Sequence, residues 1–173
     1  MRESDVSSQA GYTLLELLLY VAIVGSLLTS VTYFFGVAVD ARVKNQTISE
    51  VNEQGTAAMD YLTQTIRNAT AISAPAAAAS ASALTVTVPT GSLSPTIFNL
   101  SGTSALQVQE GSGGQIPLTS NDVTISGLTF TNLTKSGTSG TVQVKFTVSR
   151  VNPSSRNEYD YQKTFTSSAE IGW

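Results

Sequence analysis

From Leu17 to Val39 the chain carries no charged side chain. As a helix, these 23 residues reach roughly 35 Å at 1.5 Å each, against a hydrocarbon core of about 30 Å. That is too long for the apolar core of a signal peptide, which runs to about 7–15 residues. The run therefore predicts a helix that lives in an apolar surrounding. One carboxylate, Glu16, stands at its mouth. A charge at the bilayer centre costs about 2.5–3.5 kcal/mol, less toward the edge, and it seeks a partner. Arg42 and Lys44 follow the run and Arg2 precedes it, so basic residues alone do not orient the segment.

Beyond Ala41 the helical signal continues with a different surface. Ile48, Val51, Gly55, Met59, Leu62, Ile66 and Ala69 recur at spacings of three and four, the stripe of an amphipathic helix. Glu50, Glu53, Asp60, Gln64 and Arg67 take the other side, and no proline interrupts Tyr12 through Thr70. The economical reading is one helix of more than fifty residues, its first half in lipid and its second half on a domain. Gly25, Gly36 and Gly55 each cost about 1 kcal/mol in helix propensity, which marks them as bends or close-packing points.

Ile72–Ala83 is rich in alanine and serine, with Pro75 near its start, and reads as an irregular connector. After Ala83 the period becomes two. Leu84, Val86 and Val88 alternate with threonines; Thr96–Leu100, Ala105–Gln109, Gln115–Leu118, Val123–Ile125 and Leu128–Leu133 are further short runs. Val142, Val144, Phe146 and Val148 make the clearest strand, and Tyr159, Tyr161 and Phe165 define a last one with its aromatics in the core. Lys135–Gly140 and Asn152–Asn157 read as hairpin loops. This is an antiparallel sheet with one wet face, and the Ile48–Ala69 stripe is the long apolar surface that covers its dry face. The fold class is α+β: one long N-terminal helix packed on a C-terminal antiparallel sheet.

Composition narrows the chemistry. The chain has neither cysteine nor histidine, which removes disulfides, thiolate sites, and the commonest general base and metal ligand. Only 12% of residues are charged, and the net charge is −3, which gives no electrostatic pull toward nucleic acid. Without histidine a serine hydrolase would need a Ser–Lys pair, and no spacing points to one. Gly111-Ser-Gly-Gly114 lacks a following helix or lysine and is a turn rather than a phosphate loop. The expectation is a structural protein without enzymatic activity, cofactor or metal.

Gly11-Tyr-Thr-Leu-Leu-Glu16, followed by an uninterrupted apolar helix, resembles the N-terminal signal of type IV pilins and pseudopilins. The resemblance implies a type IV pilin-like fold and a prepilin peptidase that cuts after Gly11 and N-methylates Tyr12. It implies that Glu16, then the fifth residue, pairs with the Tyr12 amine of a neighbouring subunit. Tyr stands where phenylalanine is commoner, and the leader lacks the usual basic cluster. The implied division is a leader over 1–11, a membrane and filament-core helix over 12–40, its amphipathic half over 41–72, an Ala-rich linker over 73–83 and a β-domain over 84–173. Asn68-Ala-Thr-Ala-Ile, Pro117–Phe130 and Tyr161–Ala169 further resemble W- and J-type minor subunits. Implied partners are the prepilin peptidase, other pilin or pseudopilin subunits, a platform membrane protein and an assembly ATPase. The implied location is the cytoplasmic membrane, N-terminus inside, before assembly into a filament.

Two other readings compete: a membrane-tethered domain that never assembles, and a DNA-capturing pilus subunit. For the second, Lys135, Lys145, Arg150, Arg156 and Lys163 are matched by Glu110, Asp122, Glu158, Asp160 and Glu170, so the β half is formally neutral. Asn157, Glu158 and Asp160 fall short of the six to eight oxygens that Ca²⁺ takes. Asn45, Asn68, Asn99 and Asn132 begin glycosylation sequons, which arise by chance in a Ser/Thr-rich chain.

Overall fold

The computed structural model describes residues 13–172. Helix α1 runs without a break over Leu14–Asn68. The chain divides into two compact units after Arg42, and the helix contributes to both.

In the first unit the large apolar side chains lie open, from Ile23 at 48% exposure to Leu14 at 79%. Its hydroxyls turn back on their own backbone: Ser26 donates to the Ile23 carbonyl, Thr29 to Gly25, Ser30 to Ser26 and Thr32 to Leu28, at 2.8–2.9 Å. A hydroxyl satisfied in this way does not ask its surroundings for a partner. The helix is long and apolar enough to cross a membrane.

In the second unit α1 buries Val51, Gly55, Met59, Leu62 and Ile66 of the expected stripe and Ala58 beside it, while Ile48 is half-buried. The expected amphipathic half, 41–72, is helical only to Asn68. The chain then turns, with Thr70 N–H on the Thr87 carbonyl, into β1, Ala71–Ala74. The Ala-rich stretch also holds β2, Ser80–Ala81. The expectation of an irregular connector there is corrected. Small alanine and serine side chains give little contrast between faces, and these strands pair with the segments Leu84–Thr87 and Val123–Asn132.

The remaining strands are β3 (Leu84–Thr87), β4 (Thr96–Leu100), β5 (Leu106–Glu110), β6 (Gln115–Pro117), β7 (Val123–Asn132), β8 (Thr141–Arg150) and β9 (Gln162–Glu170). They form two antiparallel sheets rather than the one expected. One has the order β1-β3-β4-β5-β6 and the other β2-β7-β8-β9. Two short runs expected separately, Val123–Ile125 and Leu128–Leu133, are one strand. Its register with β8 shifts between Ser126 and Thr129, around Gly127 at φ +62°. The bulge swaps the inward parity, so Val123 and Ile125 before it and Leu128 and Phe130 after it are all buried.

A single core cluster joins both sheets to the helix. Leu84, Val86, Phe98 and Val108 come from the first sheet, Phe130, Val144 and Phe146 from the second, and Val51, Leu62 and Ile66 from α1. Phe165 of β9 stacks on Phe146 with centroids 5.7 Å apart. Tyr159 does not join that strand face; it sits in a 3-10 turn, Asn157–Tyr159, before β9 begins.

Candidate functional site

Gly11 and Tyr12, the expected cleavage and methylation positions, lie outside the described residues. Glu16 lies inside them, in the first turn of α1 and partly exposed. Its backbone N–H donates to Thr13 Oγ1 at 3.2 Å. Thr13 immediately precedes the helix, so Thr13-Leu-Leu-Glu16 has the spacing of a capping box. The first helical hydrogen bond follows at once, from Leu17 N–H to the Thr13 carbonyl at 3.1 Å. The helix thus begins just before Glu16 and sets the carboxylate in the first turn, where the positive end of the helix dipole favours an anion.

One turn further on, the Tyr20 hydroxyl donates to Glu16 Oε1 at 3.2 Å. This contact was missed on reading the sequence, although Glu and Tyr at i and i+4 share a helix face. Around the pair, Leu15, Leu17, Leu19, Ile23 and Val24 are exposed apolar side chains. A single acidic group, with a phenol bonded to it, is therefore set into a long apolar surface. That arrangement favours packing against apolar neighbours, and it strongly favours a neighbour that brings a cation to Glu16.

The other constellations singled out in the sequence are placed as follows. The carbonyls of Asn157 and Asp160 both accept from Lys44 Nζ, at 2.9 and 2.6 Å. Two oxygens that a cation would use there are held by an ammonium from α1. Glu158 pairs with Arg156. Arg150 pairs with Glu50 and lies 3.8 Å from Asp122, and Lys163 donates to Asn52 Oδ1 at 2.7 Å. Three of the five cations of the β half are thus engaged within the chain. Among the sequons, Asn99 accepts from Gln107 at 2.7 Å. Asn132 is buried, donates to the Pro75 carbonyl at 2.8 Å and accepts from Thr134 N–H at 3.0 Å. It is a staple for the Ala-rich segment. Asn45 and Asn68 lie exposed on α1.

The second unit carries shallow clefts. One is bounded by Thr70, Gly137, Thr138, Ser139, Ile171 and Gly172, and another by Val43, Gln46, Thr47, Glu50, Arg150 and Tyr159. Neither sets a nucleophile beside a base. The ionisation of Tyr61 is displaced. Burial first, then its hydrogen bond to Glu110 and the charge of that carboxylate, push its phenol above the usual tyrosine value.

Comparison of the chain with family models, with curated proteins and with solved structures finds no match.

Proposed function

We propose that this chain is a minor pilin or pseudopilin, a structural subunit of a type IV pilus, type II secretion or competence filament. On this reading the prepilin peptidase cuts after Gly11 and methylates the new Tyr12 terminus. The mature chain waits in the cytoplasmic membrane with its N-terminus inside, and the platform protein and ATPase extract it into the filament. Packing of Leu14–Val39 against the same helix of neighbouring subunits forms the filament core, and the β-domain is displayed outside it.

The observation that carries the reading is the surface of the first helical unit. It is apolar and exposed throughout Leu14–Val39, with one carboxylate, Glu16, in the opening turn. In lipid that carboxylate is a cost. Beside the terminal amine of a neighbour, cationic at neutral pH, it becomes half of an ion pair. A subunit out of register leaves the charge unpaired in an apolar bundle, so Glu16 sets both extraction and register.

The test is the N-terminus of the full chain produced in cells with and without a prepilin peptidase. We expect N-methylated Tyr12 with the enzyme and Met1 without it. An intact Met1 in competent cells overturns the proposal. Glu16→Ala is expected to leave cleavage intact and to abolish incorporation into filaments.

A further inference from the structure

We infer that Tyr20 is the positioning residue of Glu16, its phenol holding one carboxylate oxygen so that the other is presented to an incoming cation. The role of that cation rests on the assembly reading above; the hydrogen bond between the two side chains does not.

Both groups face the same difficulty. An apolar helix surface offers a carboxylate few donors, and a phenol is the more stable for an acceptor. The Tyr20 hydroxyl, 3.2 Å from Glu16 Oε1, meets part of each need within one chain. The Thr13 hydroxyl accepts from the Glu16 backbone N–H. Among the described residues, the Tyr20 phenol is the side-chain donor seen on the carboxylate.

The consequence is orientation. A glutamate has three side-chain torsions, and a bond at Oε1 to a residue at i+4 lays the chain along the helix toward its C-terminus. Oε2 is left to receive an ammonium from outside the chain. An ionised carboxylate has about four acceptor sites, so the two donors do not compete. Holding the side chain before the partner arrives removes the ordering cost of one long side chain, worth roughly two- to tenfold in association.

The experiment uses the full chain in nanodiscs of phosphatidylethanolamine and phosphatidylglycerol. The infrared spectrum of the wild type minus that of Glu16→Gln isolates the Glu16 carboxyl bands. Tyr20→Phe, which keeps the ring and loses the donor, is expected to move those bands. Tyr33→Phe, in the same span, is expected to leave them in place. Bands that do not respond to Tyr20→Phe, or that respond equally to Tyr33→Phe, overturn the proposal. In filament-forming cells Tyr20→Phe is expected to retain leader cleavage and to lower incorporation roughly two- to tenfold. Wild-type incorporation of Tyr20→Phe also overturns it. A chain that is never cleaved defeats the filament reading instead, and the infrared result then decides on the bond by itself.

Discussion

A Cβ on Gly55 of α1 would overlap the ring edge of Phe165 on β9. The ring has little room to yield. Phe146 stacks on it at 5.7 Å, and the Lys163 ammonium lies 5.2 Å from its centroid. Gly55 is thus a close-packing point between helix and sheet. Gly55→Ala gains about 1 kcal/mol in helix propensity but overpacks the contact, which typically costs about 1–3 kcal/mol. We expect a net loss of stability and a lower thermal midpoint. Gly25→Ala is the contrast: nothing lies within 4 Å of the added methyl, so the midpoint in detergent should not fall. A Gly55→Ala chain as stable as the wild type would show that the helix can step away from β9.

Tyr61 carries the pH prediction. Its hydroxyl donates to Glu110 at 3.0 Å, and its ring meets Phe98 edge-on at 6.1 Å. Burial, that hydrogen bond and the Glu110 charge all raise its ionisation above the usual value of 10.0. The folded chain then holds this proton more tightly than the unfolded chain does. The stabilising contribution is complete below pH about 10 and is lost as pH rises through the displaced value. Absorbance titration of phenolate should show a late component in the wild type that is missing from Tyr61→Phe. The variant should also lose part of the alkaline decline in stability. A titration curve of Tyr61→Phe lacking an ordinary transition instead would contradict this.

Asn132 is the polar residue on which the Ala-rich segment depends. It is 4% exposed. Its side chain bonds Pro75 and Thr134, while its backbone exchanges hydrogen bonds with Ala78 and Ala79. Asn132→Ala leaves the buried Pro75 carbonyl without its donor, and such a loss costs about 1–3 kcal/mol. We expect the amides of 76–81 to exchange faster with solvent, by mass spectrometry, than those of the core strand β8. Uniform protection across both segments would assign Asn132 a lesser part.

How far these features can be read in the sequence depends on the interaction behind each. The long helix is legible because both of its faces are written locally, in an uncharged run to Val39 and then a three-four stripe through Ile66. The strand Thr141–Arg150 is legible because Val142, Val144, Phe146 and Val148 alternate without fault. Ala71–Ala74 and Ser80–Ala81 are not, since their side chains carry no pattern and their pairing with β3 and β7 is tertiary. The split into two sheets is equally hidden, because inward parity looks the same in one sheet or two. Gly127 could have been recognised: a glycine where the alternation changes phase is the signature of a bulge. At the candidate site, Glu16 stands out by charge. Its local partners Thr13 and Tyr20 follow from helical spacing alone but do not stand out, because neither is charged.

The first turns of α1 within the second unit, from Lys44 to Gln54, carry a ring of long-range polar contacts. Here α1 is tied to the β-domain mainly by polar contacts. Lys44 donates to the carbonyls of Asn157 and Asp160, Glu50 pairs with Arg150, Asn52 accepts from Lys163, and Gln54 accepts from Ser120 N–H at 3.3 Å. Val51 is the fully buried apolar side chain among them. After Val39 the large exposed apolar residues are scattered: Tyr61, Leu93, Ile116, Leu133 and Val151. A fragment starting at Ala41 keeps every one of these contacts and drops the apolar surface of Leu14–Val39. It should be soluble without detergent and unfold cooperatively. A fragment starting at Thr56 leaves Arg150 and Lys163 without their helix partners and opens the core where Val51 sat. Losing Val51 alone removes roughly 1.5–3 kcal/mol of burial, a large share of the stability of a small domain. The shorter fragment should melt at a much lower temperature by circular dichroism. Equal melting of the two would mean that the β-sheets and the distal turns of α1 hold the domain together on their own.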